Sequence, residues 1–114
     1  MSVRLKISDE FVHLSRGAPF EVETEFKYKG QPQKLTFKLM MKQGAFGTQY
    51  SCVYYPTIDV GAAMDWGSVG PLTLAFKVPA GVKDGGQDLQ LHITAADGEH
   101  DESSWLTDAI FIGA

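Results

Sequence analysis

A strict two-residue alternation of apolar and polar side chains constrains this chain more than anything else in it. In the run Phe20-Glu21-Val22-Glu23-Thr24-Glu25-Phe26-Lys27-Tyr28-Lys29, Phe20, Val22, Phe26 and Tyr28 fall in one set, with Thr24 among them. The other set is wholly Glu and Lys. A β-strand sends alternate side chains to opposite faces, so this run is a strand with one buried and one wet side; a helix would scatter the same residues around its circumference. Gly30-Gln31-Pro32-Gln33 then breaks the pattern as a turn should. Residues 34–42 resume it, with Leu35, Phe37, Leu39 and Met41 directed inward and Lys34, Thr36, Lys38, Met40 and Lys42 outward.

The rest of the chain repeats this grammar. Residues 3–7 and 11–14 supply a first strand, kinked at Ser8-Asp9-Glu10. Residues 48–55 read as a strand rich in Tyr and Val, facing either way: Tyr50, Cys52 and Tyr54 inside, or Val53 and Tyr55. Residues 72–78, 89–95 and 105–112 are further strands, and 97–104 is an acidic loop. Residues 56–70, with Pro56, three glycines and Trp66, form the longest irregular stretch; Gly61-Ala62-Ala63-Met64-Asp65 offers one turn of helix at most. No segment sustains helical periodicity over three turns. A length of 114 residues and an apolar fraction of 44% suit one globular domain spanning 1–114.

About seven antiparallel strands joined by polar, glycine-containing loops predict an all-β fold, a two-sheet sandwich. The entry Arg16-Gly17-Ala18-Pro19-Phe20 into an alternating strand resembles bacterial immunoglobulin-like domains. So does the exit Phe76-Lys77-Val78-Pro79-Ala80-Gly81, followed by Leu89-Gln90-Leu91-His92-Ile93-Thr94-Ala95. The Cys and Trp core signature and the tyrosine corner of the antibody type are absent. The resemblance implies an immunoglobulin-like β-sandwich with the strands at 20–29 and 34–42 in different sheets. The competing arrangement is a direct hairpin, placing Glu25 opposite Lys38 and Glu21 opposite Lys42; such exposed pairs contribute only ~0.2–1 kcal/mol each and do not choose between topologies.

Composition excludes several functions. A net charge of −4 disfavours a nucleic-acid binder, which needs a basic face against phosphates. No stretch approaches the ~20 apolar residues of a membrane helix, and the first residues lack a signal core. The chain is therefore expected to be cytoplasmic or a domain excised from an exported protein. The single cysteine permits no internal disulfide. Cys52, mid-strand among aromatics, reads as a core thiol rather than a nucleophile partnered by His92 or His100. Gly-x-Ser-x-Gly is absent, and Gly81, Gly85 and Gly86 form no phosphate loop. The three histidines, at 13, 92 and 100, lack a His-x-x-x-His spacing. No catalytic residue is assigned; the expected protein is not an enzyme.

Binding candidates remain. Asp97, Glu99 and Asp101 alternate, as in loops that hold hard cations, so calcium is the candidate ion; the Gly and Glu that complete an EF-hand loop are missing, and a solvated connection reads equally well. Trp66, Tyr55 and Phe46 are candidate exposed aromatics for contact with a ligand or partner, and Met40 is an apolar spot on an otherwise polar strand face. Trp66 folded back over an open end of the core is the alternative. The leading expectation is a non-catalytic module that presents loops or a sheet edge to a protein partner or to a larger parent chain, with a homodimer through the 48–55 edge as one mode. The second is a carbohydrate-binding accessory domain, calcium-assisted, using Trp66 and Tyr55.

Overall fold

The computed structural model describes residues 2–7 and 12–113, with the backbone alone at Val12. Ser8, Asp9, Glu10 and Phe11, the expected kink of the first strand, lie outside the described residues. Ten strands are present among the described residues: β1 (Arg4–Lys6), β2 (Val12–Leu14), β3 (Pro19–Gly30), β4 (Gln33–Lys42), β5 (Tyr50–Ser51), β6 (Thr57–Val60), β7 (Ala63–Lys77), β8 (Gly85–Ala95), β9 (His100–Glu102) and β10 (Leu106–Ile112). They form two sheets. The smaller has the order β1-β3-β7; the larger has the order β2-β10-β8-β4-β5, with β6 also on β4 and β9 also on β8.

The two alternating runs build the two halves of the core. In β3, Phe20, Val22, Thr24, Phe26 and Tyr28 are buried; in β4, Leu35, Phe37, Leu39 and Met41 are fully so. The polar member of the first set, Thr24, avoids an orphaned hydroxyl because its Oγ1 donates to the Arg4 carbonyl oxygen at 2.7 Å. That bond also ties β1 to the sheet. Leu89, Leu91, Ile93 and Ala95 of β8 complete the inner face of the larger sheet. Phe26 and Phe37 meet edge to face across the sandwich, their ring centroids 5.9 Å apart.

Strands β3 and β4 belong to different sheets, so the hairpin pairing of Glu25 with Lys38 and Glu21 with Lys42 does not occur. Glu25 instead stands opposite Arg4, and Glu23 opposite Lys6. Lys38 stands opposite His92, and Lys42 opposite Asp88. The link between β3 and β4 is an arch closed by polar groups: the Tyr28 hydroxyl donates to the Gln31 carbonyl, and the Gln33 amide nitrogen donates to the same hydroxyl at 2.7 Å.

Three features correct the expected strand plan. The first strand divides between the sheets, β1 pairing with β3 and β2 with β10. The β2–β10 pair is parallel, so the larger sheet is mixed rather than purely antiparallel. The third correction concerns residues 56–70, which are mostly extended. They hold β6 and the first half of β7, and β7 pairs with β3 from Lys77 back to Ala63, so no helical turn forms at 61–65. The sequence concealed this strand because Met64, Asp65, Trp66, Gly67 and Ser68 are all exposed. With neither face buried, no amphipathic alternation is written there.

Phe37→Ala should lower unfolding stability by about 3–5 kcal/mol, since it empties a fully enclosed aromatic site between the sheets. Glu23→Ala, on the wet face, should stay within about 0.5 kcal/mol of the parent. Urea denaturation followed by tryptophan fluorescence reads both; similar losses in the two variants would contradict this core assignment.

Candidate functional site: a free strand edge and a histidine cluster

Strand β7 is the long open edge of the molecule. It pairs with β3 on one side. On the other, its single strand pairing among the described residues is a bridge from Lys77 to Val53, leaving that side of 63–76 without a strand partner. An edge strand presents a row of unpaired N–H and C=O groups, and proteins commonly blunt such edges with charge. Asp65 is the only charged residue from 63 to 76, while Pro71, which has no N–H, and register shifts between Ala63 and Gly67 and between Val69 and Leu72 interrupt the row. Two large apolar side chains stand out of the first half: Met64 is 91% exposed and Trp66 52%. Trp66 is therefore on a strand beside an open edge, not in a loop and not folded over the core.

The segment at 48–55 is a poorer edge than its composition suggested. Only Tyr50–Ser51 pairs with β4. Cys52 then donates its N–H to the Leu39 carbonyl, and Val53 crosses to the other sheet to bridge Lys77. Tyr54 adopts a left-handed backbone at φ 77°, which turns the chain outward. Cys52 is the inward residue here, and Val53, Tyr54 and Tyr55 face solvent. Met40 is half-buried and sits between Ser51 and Gln90, flanked by strands on both sides.

The candidate aromatics do not share a platform. Tyr55 follows β5 in the larger sheet, with its hydroxyl 3.1 Å from Ser51 Oγ. Trp66 belongs to the smaller sheet. Phe46 is fully exposed in the turn between β4 and β5. Trp105, at the start of the last strand, lies under the Lys42 ammonium, 4.1 Å from its ring centroid.

The acidic loop also folds differently from a cation loop. Asp97 Oδ1 accepts the Glu99 N–H at 2.9 Å, and the Asp97 N–H donates to Gln33 Oε1 at 3.1 Å, so this residue closes a turn. Asp97, Glu99 and Asp101 do not gather into a common ligand set. Strand β9 instead turns His100 and Glu102 to the face that carries His92, the cross-strand pairs being His92 with Glu102 and Thr94 with His100. His92 Nδ1 lies 3.0 Å from His100 Nε2 and 3.4 Å from Glu102 Oε2. Its other nitrogen, Nε2, is 2.8 Å from Gln90 Oε1. Desolvation lowers the His92 pKa, the Glu102 carboxylate opposes that, and His100 and Lys38 reinforce it. His13 is elsewhere, stacked on Phe111.

No protein-family model matches the chain, and neither does any curated protein sequence. Among solved structures, the chain is similar to the crystal structure of Spo0M, a sporulation control protein from Bacillus subtilis, with a TM-score of 0.50 at 9% sequence identity. The match covers 99% of this chain and 49% of that one, so this chain spans about half the length of Spo0M. At such low identity the likeness concerns fold alone.

Cys52 is 1% exposed, and burial pushes its thiol from 9.0 up to about 12. A thiol reagent at pH 8 should leave the native chain unmodified and react fully in denaturant. The unfolded thiol ionises near 9.0 while the folded one keeps its proton to about 12, so this group stabilises the native state below pH 9 and loses that effect as pH rises toward 12. Cys52→Ala should therefore show a shallower decline of the urea midpoint across that window. Rapid labelling of the native chain would contradict the burial of Cys52.

Proposed function

We propose that the chain is a non-catalytic interaction module, an immunoglobulin-like β-sandwich that accepts an extended strand of a protein partner along the free edge of β7. One observation carries the reading: residues 63–76 form a free edge with a single charge beside exposed Met64 and Trp66, interrupted by Pro71 and two register shifts. A partner strand added there satisfies the open backbone groups, and the two large side chains supply contact area. The self-association hazard of such an edge is a reason for it to be covered in its working context. The carbohydrate reading has less support. Trp66 alone offers a ring to stack on a sugar, while Tyr55 lies in the other sheet with its hydroxyl engaged.

Twelve-residue peptides selected by phage display on the immobilised chain are suitable probes. Those that bind should slow amide hydrogen exchange along 63–76, and Trp66→Lys should weaken them at least tenfold, about 1.4 kcal/mol. Peptides whose protection maps elsewhere, or whose binding ignores Trp66→Lys, would overturn the proposal. So would a dimer in light scattering that Trp66→Lys dissolves, because it would hand the edge to a second copy.

A further inference from the structure

We propose that His92, His100 and Glu102, on the outer face of the larger sheet, form a binding site for a divalent transition metal, with Zn²⁺ the ion whose geometry they fit. Zinc bonds to imidazole nitrogen or carboxylate oxygen at ~2.0–2.2 Å in a tetrahedron, which places its donor atoms roughly 3.3–3.5 Å from one another. Here His92 Nδ1 is 3.0 Å from His100 Nε2 and 3.4 Å from Glu102 Oε2, and all three donor atoms lie within 4.8 Å of one another. Side-chain rotations of an ångström or less adjust these separations, and both outer members sit at an exposed surface where such rotations are free.

A second observation is independent of those distances. Metal-binding histidines characteristically donate their remote ring N–H to a fixed acceptor, which sets the tautomer and aims the free lone pair. Gln90 is 8% exposed, and its Nε2 donates to the Ser103 carbonyl oxygen at 3.0 Å. That bond fixes the amide so that Oε1 faces His92 Nε2 at 2.8 Å and accepts its proton. The lone pair of Nδ1 is thereby turned toward His100 and Glu102. The same glutamine thus fastens the 103–105 connection to β8 and holds one imidazole tautomer.

The donor set also selects the ion. Two imidazoles and one carboxylate suit zinc and its transition-metal neighbours, whereas calcium needs six to eight oxygens. Three protein ligands leave a coordination position for water or an external donor. Lys38 faces His92 from β4 and repels a cation there, so the site has moderate strength by construction.

Isothermal titration of the full chain with ZnCl₂ should show saturable binding at one ion per chain, with no binding of Ca²⁺ at this site. His100→Ala and Glu102→Gln should each weaken it at least tenfold, Lys38→Met should strengthen it several-fold, and His13→Ala should leave it unchanged. Both ligand substitutions are at exposed positions, and retained far-ultraviolet dichroism and core methyl spectra establish that those variants are folded. Zinc should also perturb the His92 and His100 ring resonances in the parent. Absence of saturable zinc binding at millimolar concentration, or binding that survives both His100→Ala and Glu102→Gln, would overturn the assignment.

Discussion

The pairing of β4 with β8 is the contact on which the rest of the structure depends. Eight consecutive residue pairs run from Leu35 with Ala95 to Lys42 with Asp88 without a register break. Their inner face joins Leu35, Phe37, Leu39 and Met41 to Leu89, Leu91, Ile93 and Ala95, giving an apolar surface that must be covered. Strand β3 covers it from the opposite sheet, and β5, β6, β9 and β10 extend the same ladder on either side. A one-residue slip of β4 would turn Lys34, Lys38 and Lys42 into the core, so burial locks the register. The same lock places His92 outward while Leu91 and Ile93 point inward.

The chain passes between the two sheets repeatedly, and these crossings give the sandwich its form. The β3–β4 arch uses Gly30, at φ 141°, with the Tyr28 hydroxyl closing the turn. The β6–β7 crossing takes only Gly61 and Ala62. At 52–55 the crossing is made under strain by Tyr54, a non-glycine residue in the left-handed region. This last crossing shortens the edge at β5 and leaves the smaller sheet to end on β7. The open edge is thus a product of topology: the chain that caps one sheet is unavailable to cap the other.

What the sequence made legible follows the same physics. Where one strand face is buried and the other wet, the alternation states both the element and its facing, and it did so for β3 and β4 down to Thr24. Residues 63–68 had no buried face to encode, so Trp66 read as a loop residue although it lies within β7, where the pairing with β3 shifts register between Ala63 and Gly67. The histidine site was hidden for a different reason. Ligands on one strand sit two residues apart, and on one helix four apart, but His92 and His100 are joined across a hairpin. Their even separation and the turn at Asp97-Gly98 together contain the information: a tight turn centred near residue 97 returns His100 and Glu102 to the face of His92. Ligand spacing within one element does not describe such a set; the hairpin register does.

The two proposed sites divide the molecule without sharing residues. The strand edge belongs to the smaller sheet and depends on open backbone groups, for which side-chain identity matters chiefly at Met64 and Trp66. The histidine cluster belongs to the outer face of the larger sheet and depends on three donor atoms held by a continuous ladder. An extended partner on the free edge of β7 adds a fourth strand beside β7 and does not approach β8, because the sheets are joined through their buried faces rather than edge to edge. The elements that do connect them are the crossings, above all the bridge from Val53 to Lys77 at the end of β7. Between the two sites lie packed core residues such as Phe26 and Phe37, which are fully buried against each other. The physical expectation is therefore that the two proposed surfaces, which share no residue, are energetically independent, a metal at one leaving the affinity for a partner at the other unchanged.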